Sequence, residues 1–313
     1  MRSPQTVLET LRKHAQDTQY QYERLYRNLY NPQFYLLAYQ NLYANKGSMT
    51  SGADGKTISG MGMKRIEDLV EKIRDRSYQP HPARRQYIPK KSGNGLRPLG
   101  IPSADDKLVQ EAVRMILESI YEPNFKQTSH GFRPNRSCHT ALAQIQRTFT
   151  GVSWFVEGDI KGCFDNIDHH ILIDILKRRI KDEAFIDLIW KLLRAGYLED
   201  WMKHQTYSGT PQGSGVSPLL ANIYMNELDQ FMEEYRGRFN KGDKRRFSNA
   251  YVNANHHYAR AKARNAKKWE LMNEEERENA RIMQKIADNS AFNPEPGPDG
   301  PQLSQNRVCS LCR

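Results

Sequence analysis

The sequence predicts a helix-rich α+β fold with a short basic hairpin and a buried strand, and three observations carry that prediction. Apolar residues recur at helical spacing, as in "MKRIEDLVEKIRDRSY", where Ile66, Leu69, Val70 and Ile73 fall on one face. Residues 84–102, "RRQYIPKKSGNGLRPLGIP", read as two short strands joined by a Gly-Asn-Gly turn. The apolar run "VSWFVEGD" is rich in β-formers, stops at Asp159 and reads as a buried strand. At 313 residues the chain can bury a substantial core and make about two domains or one elaborated one.

From the start of the chain, residues 5–45 read as helix with tyrosines scattered through it, broken at Asn31-Pro32. Arg12, Lys13, Arg24 and Arg27 make one side of this stretch basic, a pattern that fits either a packing helix or one that contacts RNA. "NKGSMTSGADGKTISG", which contains Lys46, has the composition of a flexible loop. After the helix of residues 63–78 comes the hairpin, with basic residues on both sides of its turn. Helices over about 104–121 and 137–149 bracket "HGFRPNRS", and two more occupy about 168–195. "YSGTPQGSGVS" is a Gly/Ser/Pro loop, and "PLLANIYMNELDQFMEEY" is a helix with an apolar face. Between residues 236 and 268, eleven Lys and Arg residues, Lys244, Arg245 and Arg246 among them, face a single acid, Asp243. Phe239, Phe247, Tyr251 and Tyr258 are interleaved with them, a mixture able to hold phosphates and stack on bases. A polar helix to about residue 288 and the loop "NPEPGPDGPQLSQN" follow.

Charge narrows the partners. Forty-seven Lys+Arg against 36 Asp+Glu give a formal net charge of +11, which favours nucleic acid first and an anionic membrane surface second. No run reaches the ~20 apolar residues of a membrane span, and "MRSPQTVLETLRKHAQD" has no apolar secretory core, so a cytoplasmic protein is expected. Four cysteines are too few and too scattered for a disulfide framework. Cys309 and Cys312, in "CSLC", lack the second ligand pair that a tetrahedral zinc site needs.

The acidic cluster in "EGDIKGCFDNIDHH" is the candidate for chemistry. A carboxylate at the end of a buried strand is held rigidly and suits a hard divalent cation, and Asp159 takes that place. Asp168 directly precedes the periodic helix "HHILIDILKRRI" and reads as its N-cap, while a loop role and a metal role both stay open for Asp165. His169 and His170 fall on the first helical turn with no ligand spacing to other His or Cys residues.

In order along residues 86–229 stand "IPKKSGNGLRPLGIP", "HGFRPNRSCHTAL", "FVEGDIKGCFDNIDH" and "TPQGSGVSPLLANIYMNELD". Together they resemble the group II intron-encoded reverse transcriptase, or maturase, and "NKGSMTSGADG" is similar to that family's N-terminal extension. The resemblance implies the fingers and palm of a right-hand polymerase, with a small antiparallel palm sheet and a finger hairpin. It divides the chain into the extension and start of the fingers (1–85), fingers (86–150), palm (151–235), a basic helical insertion and linker (236–306) and the start of a further strand (307–313). Asp159 matches the first metal-binding aspartate, joined by the backbone carbonyl of Ile160. Phe164 matches the aromatic residue beneath the incoming sugar, where a rigid ring clashes with a 2′-hydroxyl. Lys90 and Arg97 match the triphosphate clamp, a point charge and a fork, with Lys91 as the alternative to Lys90. Gln212 and Gly213 match the template-side loop, where glycine permits close approach to the nascent base pair. Arg12, Lys13, Arg24, Arg27, Lys46, Arg133, Lys244, Arg245 and Arg246 are the RNA-binding candidates. Implied partners are group II intron RNA, an RNA template with a DNA primer, and deoxynucleoside triphosphates. The implied cofactor is Mg2+ in a two-metal site, in a ribonucleoprotein of bacterial type, and a homodimer is compatible with the sequence.

The family's Tyr-Ala-Asp-Asp tetrapeptide, source of its other metal-binding aspartates, does not occur here. "RVCSLCR" looks like the strand leading into that turn. The expectation is a fingers and partial-palm fragment of a longer RNA-directed DNA polymerase, one that binds RNA without polymerising. The alternatives are a non-catalytic splicing cofactor and a reverse transcriptase of the retron or diversity-generating kind.

Overall fold

In the computed structural model the described residues are 2–45, 47–90, 95–150, 152, 154–199, 202–204, 209, 214–240, 249–268 and 273–291. They form helices α1 (Pro4–His14), α2 (Pro32–Tyr43), α3 (Met63–Arg74), α4 (Ala104–Tyr121), α5 (Cys138–Thr148), α6 (His169–Arg179), α7 (Glu183–Leu193), α8 (Ser217–Phe239), α9 (Asn249–Lys268) and α10 (Glu274–Ala291). The strands are β1 (Ala83–Pro89), β2 (Leu96–Ile101), β3 (Tyr197–Glu199) and β4 (Met202–His204).

Local chemistry fixes the helix starts. Ser3 caps α1 by accepting from the Thr6 amide, with Pro4 at the first helical position. Asn31 accepts from the Gln33 amide and Pro32 opens α2, so the expected break is a helix start. The stretch before it is not helical throughout. The chain leaves α1 after His14, passes Tyr22 beside Ile180 in an isolated bridge, and forms a 3₁₀ turn at Tyr26–Tyr30. Its tyrosines act as core struts: the Tyr22, Tyr26 and Tyr35 hydroxyls donate to the carbonyls of Leu11, Ile73 and Leu29 at 2.9, 2.7 and 3.0 Å. Burial outweighed helical propensity here.

Helix α4 is the axis of the core, with fourteen of its eighteen residues buried. A helix buried on all sides must satisfy its polar groups internally. Asp106 does so by accepting from Tyr78, Ser103 and the His81 amide, and Glu111 by pairing with Arg114 at 2.7 Å. Ile66, Leu69, Val70 and Ile73 of α3 are all buried, as their spacing predicts. The expected flexible loop is instead tied down. The Lys107 ammonium donates to the carbonyls of Gly47, Ser48 and Thr50, and the Arg84 guanidinium to that of Ser51.

The four strands make one mixed sheet in the order β2-β1-β3-β4. β1 and β2 are antiparallel, with Ile88 opposite Arg97, and the Lys90 amide donating to the Gly95 carbonyl closes the hairpin. β1 and β3 are parallel, and β3 and β4 antiparallel. The sheet is thus built on the finger hairpin. The expected strand ending at Asp159 is corrected: residues 154–160 have no regular structure, and Trp154 and Val156 are 80% and 93% exposed. A β-forming run becomes a strand only against a partner, and among the described residues none pairs with it.

The chain separates into two compact units, one of residues up to Gln146 with Glu157–Glu233, the other of Arg147–Val156 with the segment from Glu234. In the second unit α9 is followed by α10, whose start is a capping box between Asn273 and Glu276. No helix among the described residues is long and apolar enough to cross a membrane.

Candidate active site

The site grows from a tight turn after Asp159. Gly162 takes φ +60, and its carbonyl accepts from the amides of Asp165 and Asn166 at 2.9 and 3.0 Å. The Asn166 side chain donates to the Lys161 and Gly162 carbonyls, locking the turn from the other side. Phe164 emerges from it half-buried, packed against the core and edge-to-face with Phe132 at a centroid distance of 6.1 Å and an angle of 84°. Asp168 ends the segment as the N-cap of α6, accepting from the His170 and Ile171 amides at 2.8 and 3.0 Å. The Ile171 N–H above all, with that of His170, holds its carboxyl below the usual carboxylate range. The predicted cap is therefore present. His169 turns inward, where its Nε2 donates to the Gly209 carbonyl at 2.6 Å and its ring meets Trp190 edge-on.

Gly209, from the Gly/Ser/Pro loop, seats against this turn. Its amide donates to the Ile167 carbonyl at 2.8 Å, and a Cβ there would stand 2.7 Å from the Phe164 carbonyl oxygen and from the Asp165 Cα. With φ +82 as well, the position accepts only glycine without displacement. Beyond it, the Ser214 hydroxyl and the Gly215 amide both donate to Gln110 Oε1 of α4, at 3.0 and 3.2 Å. Gly209, Ser214 and Gly215 are thus each tied down, while Gln212 and Gly213 lie outside the described residues.

The "HGFRP" segment forms the neighbouring wall. Its Gly131 carbonyl accepts from Asn222 of α8 at 2.8 Å, and His130 is held by Thr140 and Gln144 of α5. The sequence leaves Arg133 open between template contact and packing beside its turn, and in the structure it packs. It is buried, pairs with Glu122 through Nε and Nη2, and donates through Nη1 to the Lys126 and Ser129 carbonyls. A fork whose nitrogens all bond within the chain has no geometry left for a phosphate.

Lys90 and Arg97 are exposed at the turn end of the finger hairpin, and Arg12, Lys13, Arg24 and Arg27 are exposed on the N-terminal segment. Lys46, Lys91, Lys244, Arg245 and Arg246, with Cys309 and Cys312, lie outside the described residues. Asp159 is exposed in the irregular stretch, not fixed at a sheet edge. Its carboxylate and the Ile160 carbonyl are hard oxygen donors of the kind magnesium takes. Among the described residues no group of three His, Cys, Asp or Glu side chains could hold a metal ion, so they do not complete a two-metal site.

Residues 88–252, just over half of the chain, match the reverse transcriptase (RNA-dependent DNA polymerase) family. The chain belongs to the reverse transcriptase family. Within it the chain is a group II intron type: it is 52% identical over 252 residues to the group II intron-encoded protein LtrA of Lactococcus lactis, over 80% of this chain. It spans only 42% of that relative's length. It is 49% identical over 218 residues to a 91 kDa protein in the cob intron of Schizosaccharomyces pombe, covering 68% of this chain and 27% of that one. With nuclear intron maturase 2 of Arabidopsis thaliana it shares 33% identity over 168 residues, 41% of this chain and 23% of the relative. The structural residues around this candidate site that sequence reading missed are Gln110, Phe132, Gly209 and Asn222. Gly209 had a signal, a glycine just before the Thr-Pro-Gln-Gly stretch, but the partners of the other three are set by tertiary packing.

Proposed function

We propose that the chain supplies the fingers and part of the palm of an RNA-directed DNA polymerase that binds group II intron RNA, assists its splicing and copies RNA into DNA. The observation that carries this reading is the seating of Gly209 against the backbone of Phe164 and Asp165, which joins the sugar-side turn to the template loop. In this reading Lys90 and Arg97 grip the triphosphate of the incoming deoxynucleotide, and Phe164 excludes a 2′-hydroxyl. Gln212 and Gly213 approach the base pair being formed. Magnesium, when bound, would supply Lewis-acid activation of the primer 3′-hydroxyl for attack at the α-phosphate. Asp159 and the Ile160 carbonyl would hold it together with carboxylates beyond the described residues. The protein works in the cytoplasm as a ribonucleoprotein with its intron.

A second reading, an RNA-binding splicing cofactor without chemistry, draws on the exposed setting of Asp159 and the lack of a three-ligand cluster among the described residues. Primer extension in magnesium separates the two. Residues 1–313 alone should bind intron RNA and yield no cDNA, since no Tyr-Ala-Asp-Asp stretch is present. In a full-length enzyme Asp159→Ala should abolish cDNA synthesis and leave intron binding and splicing nearly intact. Equal loss of both activities would sink the separation of roles, and robust cDNA from residues 1–313 would sink the partial-palm reading.

A further inference from the structure

Phe132 combines two features that rarely meet. Its backbone sits at φ +53, in the left-handed region that a bulky non-glycine residue adopts only when its surroundings impose it. The residue is 57% exposed, so burial does not explain the strain. Three bonds hold the backbone there: Asn222 to the Gly131 carbonyl, and Arg133 to the Lys126 and Ser129 carbonyls. Arg133 is further fastened by Glu122, and His130 by Thr140. What this braced turn delivers is one contact, the perpendicular packing of Phe132 on Phe164.

We infer that Phe132 is a specificity-determining positioning residue, whose ring holds Phe164 in the orientation that excludes a ribonucleotide. The inference rests on Phe164 being the sugar gate, as proposed above. A steric gate discriminates only as well as its ring is prevented from turning aside. The Phe164 backbone is fixed by the Gly162 turn and by Gly209, but those contacts do not reach the ring. Phe132 acts on the ring itself. An edge-to-face pair is worth a small, bounded amount, which limits the loss of sugar discrimination on removing Phe132 to about two- to twelvefold. Removing Phe164 takes away the gate and should cost more.

Single-turnover extension by a full-length enzyme, with matched dATP and ATP on one RNA template, tests this. Phe132→Ala should lower the dATP preference by about two- to twelvefold through faster ATP incorporation, with dATP incorporation little changed. Phe132→Tyr, which keeps the ring, should retain the wild-type preference. Phe132→Asn, a residue that accepts the left-handed backbone, should match Phe132→Ala and guards against misfolding as the cause. Phe132→Ala added to Phe164→Ala should change nothing further, because the ring it positions is gone. An unchanged preference in Phe132→Ala beside a relaxed one in Phe164→Ala overturns the inference and leaves the gate standing. Equal losses for both nucleotides also overturn it and assign Phe132 to the template instead. An unchanged preference in Phe164→Ala overturns the gate, and the inference with it.

Discussion

Arg133 and Asp168 are both charged residues beside turns, and their roles diverge because of how far their partners lie along the chain. Arg133 reaches back eleven positions to Glu122 and to two carbonyls whose direction depends on the turn between them. Arg133→Ala should therefore destabilise the protein by about 2–4 kcal/mol in denaturant unfolding, since Glu122 is left without its partner. The RNA affinity of the folded variant should stay unchanged. Arg133→Lys should recover only part of the loss, because an ammonium cannot make the fork's several directed bonds. A fall in RNA affinity at wild-type stability would return Arg133 to the template surface. Asp168 was legible in the sequence because its partners are the amides two and three residues ahead, so a local pattern is enough. The role proposed for Phe164 comes only from its motif neighbours, and its contact with Phe132 was not legible at all, since nothing in "HGFRP" says which ring it meets.

At the scale of elements, the same distinction separates α3 from residues 152–158. The buried face of α3 follows from its own spacing. A strand depends on what lies alongside it, and the mixed sheet forms instead where the finger hairpin finds the hairpin of β3 and β4. Composition also misled at the Lys46 loop, because the restraint on residues 47–51 comes from Lys107 and Arg84, more than thirty positions away. Gly209 seats its loop directly on the backbone of the turn that carries Phe164. In Gly209→Ala a Cβ would meet the Phe164 and Asp165 backbone at 2.7 Å in a left-handed conformation, so the segment or the sugar-side turn must move. Strain of ~1–3 kcal/mol at that point predicts a cDNA synthesis rate lower by about five- to 150-fold in a full-length enzyme, at unchanged intron-RNA affinity. Wild-type extension kinetics in this variant would show that the seating is dispensable.

At the scale of the whole molecule, the net charge of +11 is readable without any structure, and it makes a quantitative demand. Binding carried by phosphate neutralisation must weaken with salt, by a slope of about 0.7–0.9 per phosphate in the log–log plot. For roughly five phosphates, intron-RNA affinity should fall about a hundredfold or more between roughly 50 and 200 mM salt. The described cations placed to contribute are Arg12, Lys13, Arg24 and Arg27, all exposed, whereas buried Arg133 is not among them. Replacing those four by alanine should lower the slope by as much as about 3, because each phosphate that is no longer neutralised keeps its counterions. Asp159→Ala should leave the slope where it is, since a carboxylate neutralises no phosphate. A flat salt dependence in the wild-type chain would remove the basic faces as the contact surface. A full slope in the fourfold variant would move the contact to other cations, residues 241–268 foremost, where Lys and Arg outnumber acids most heavily.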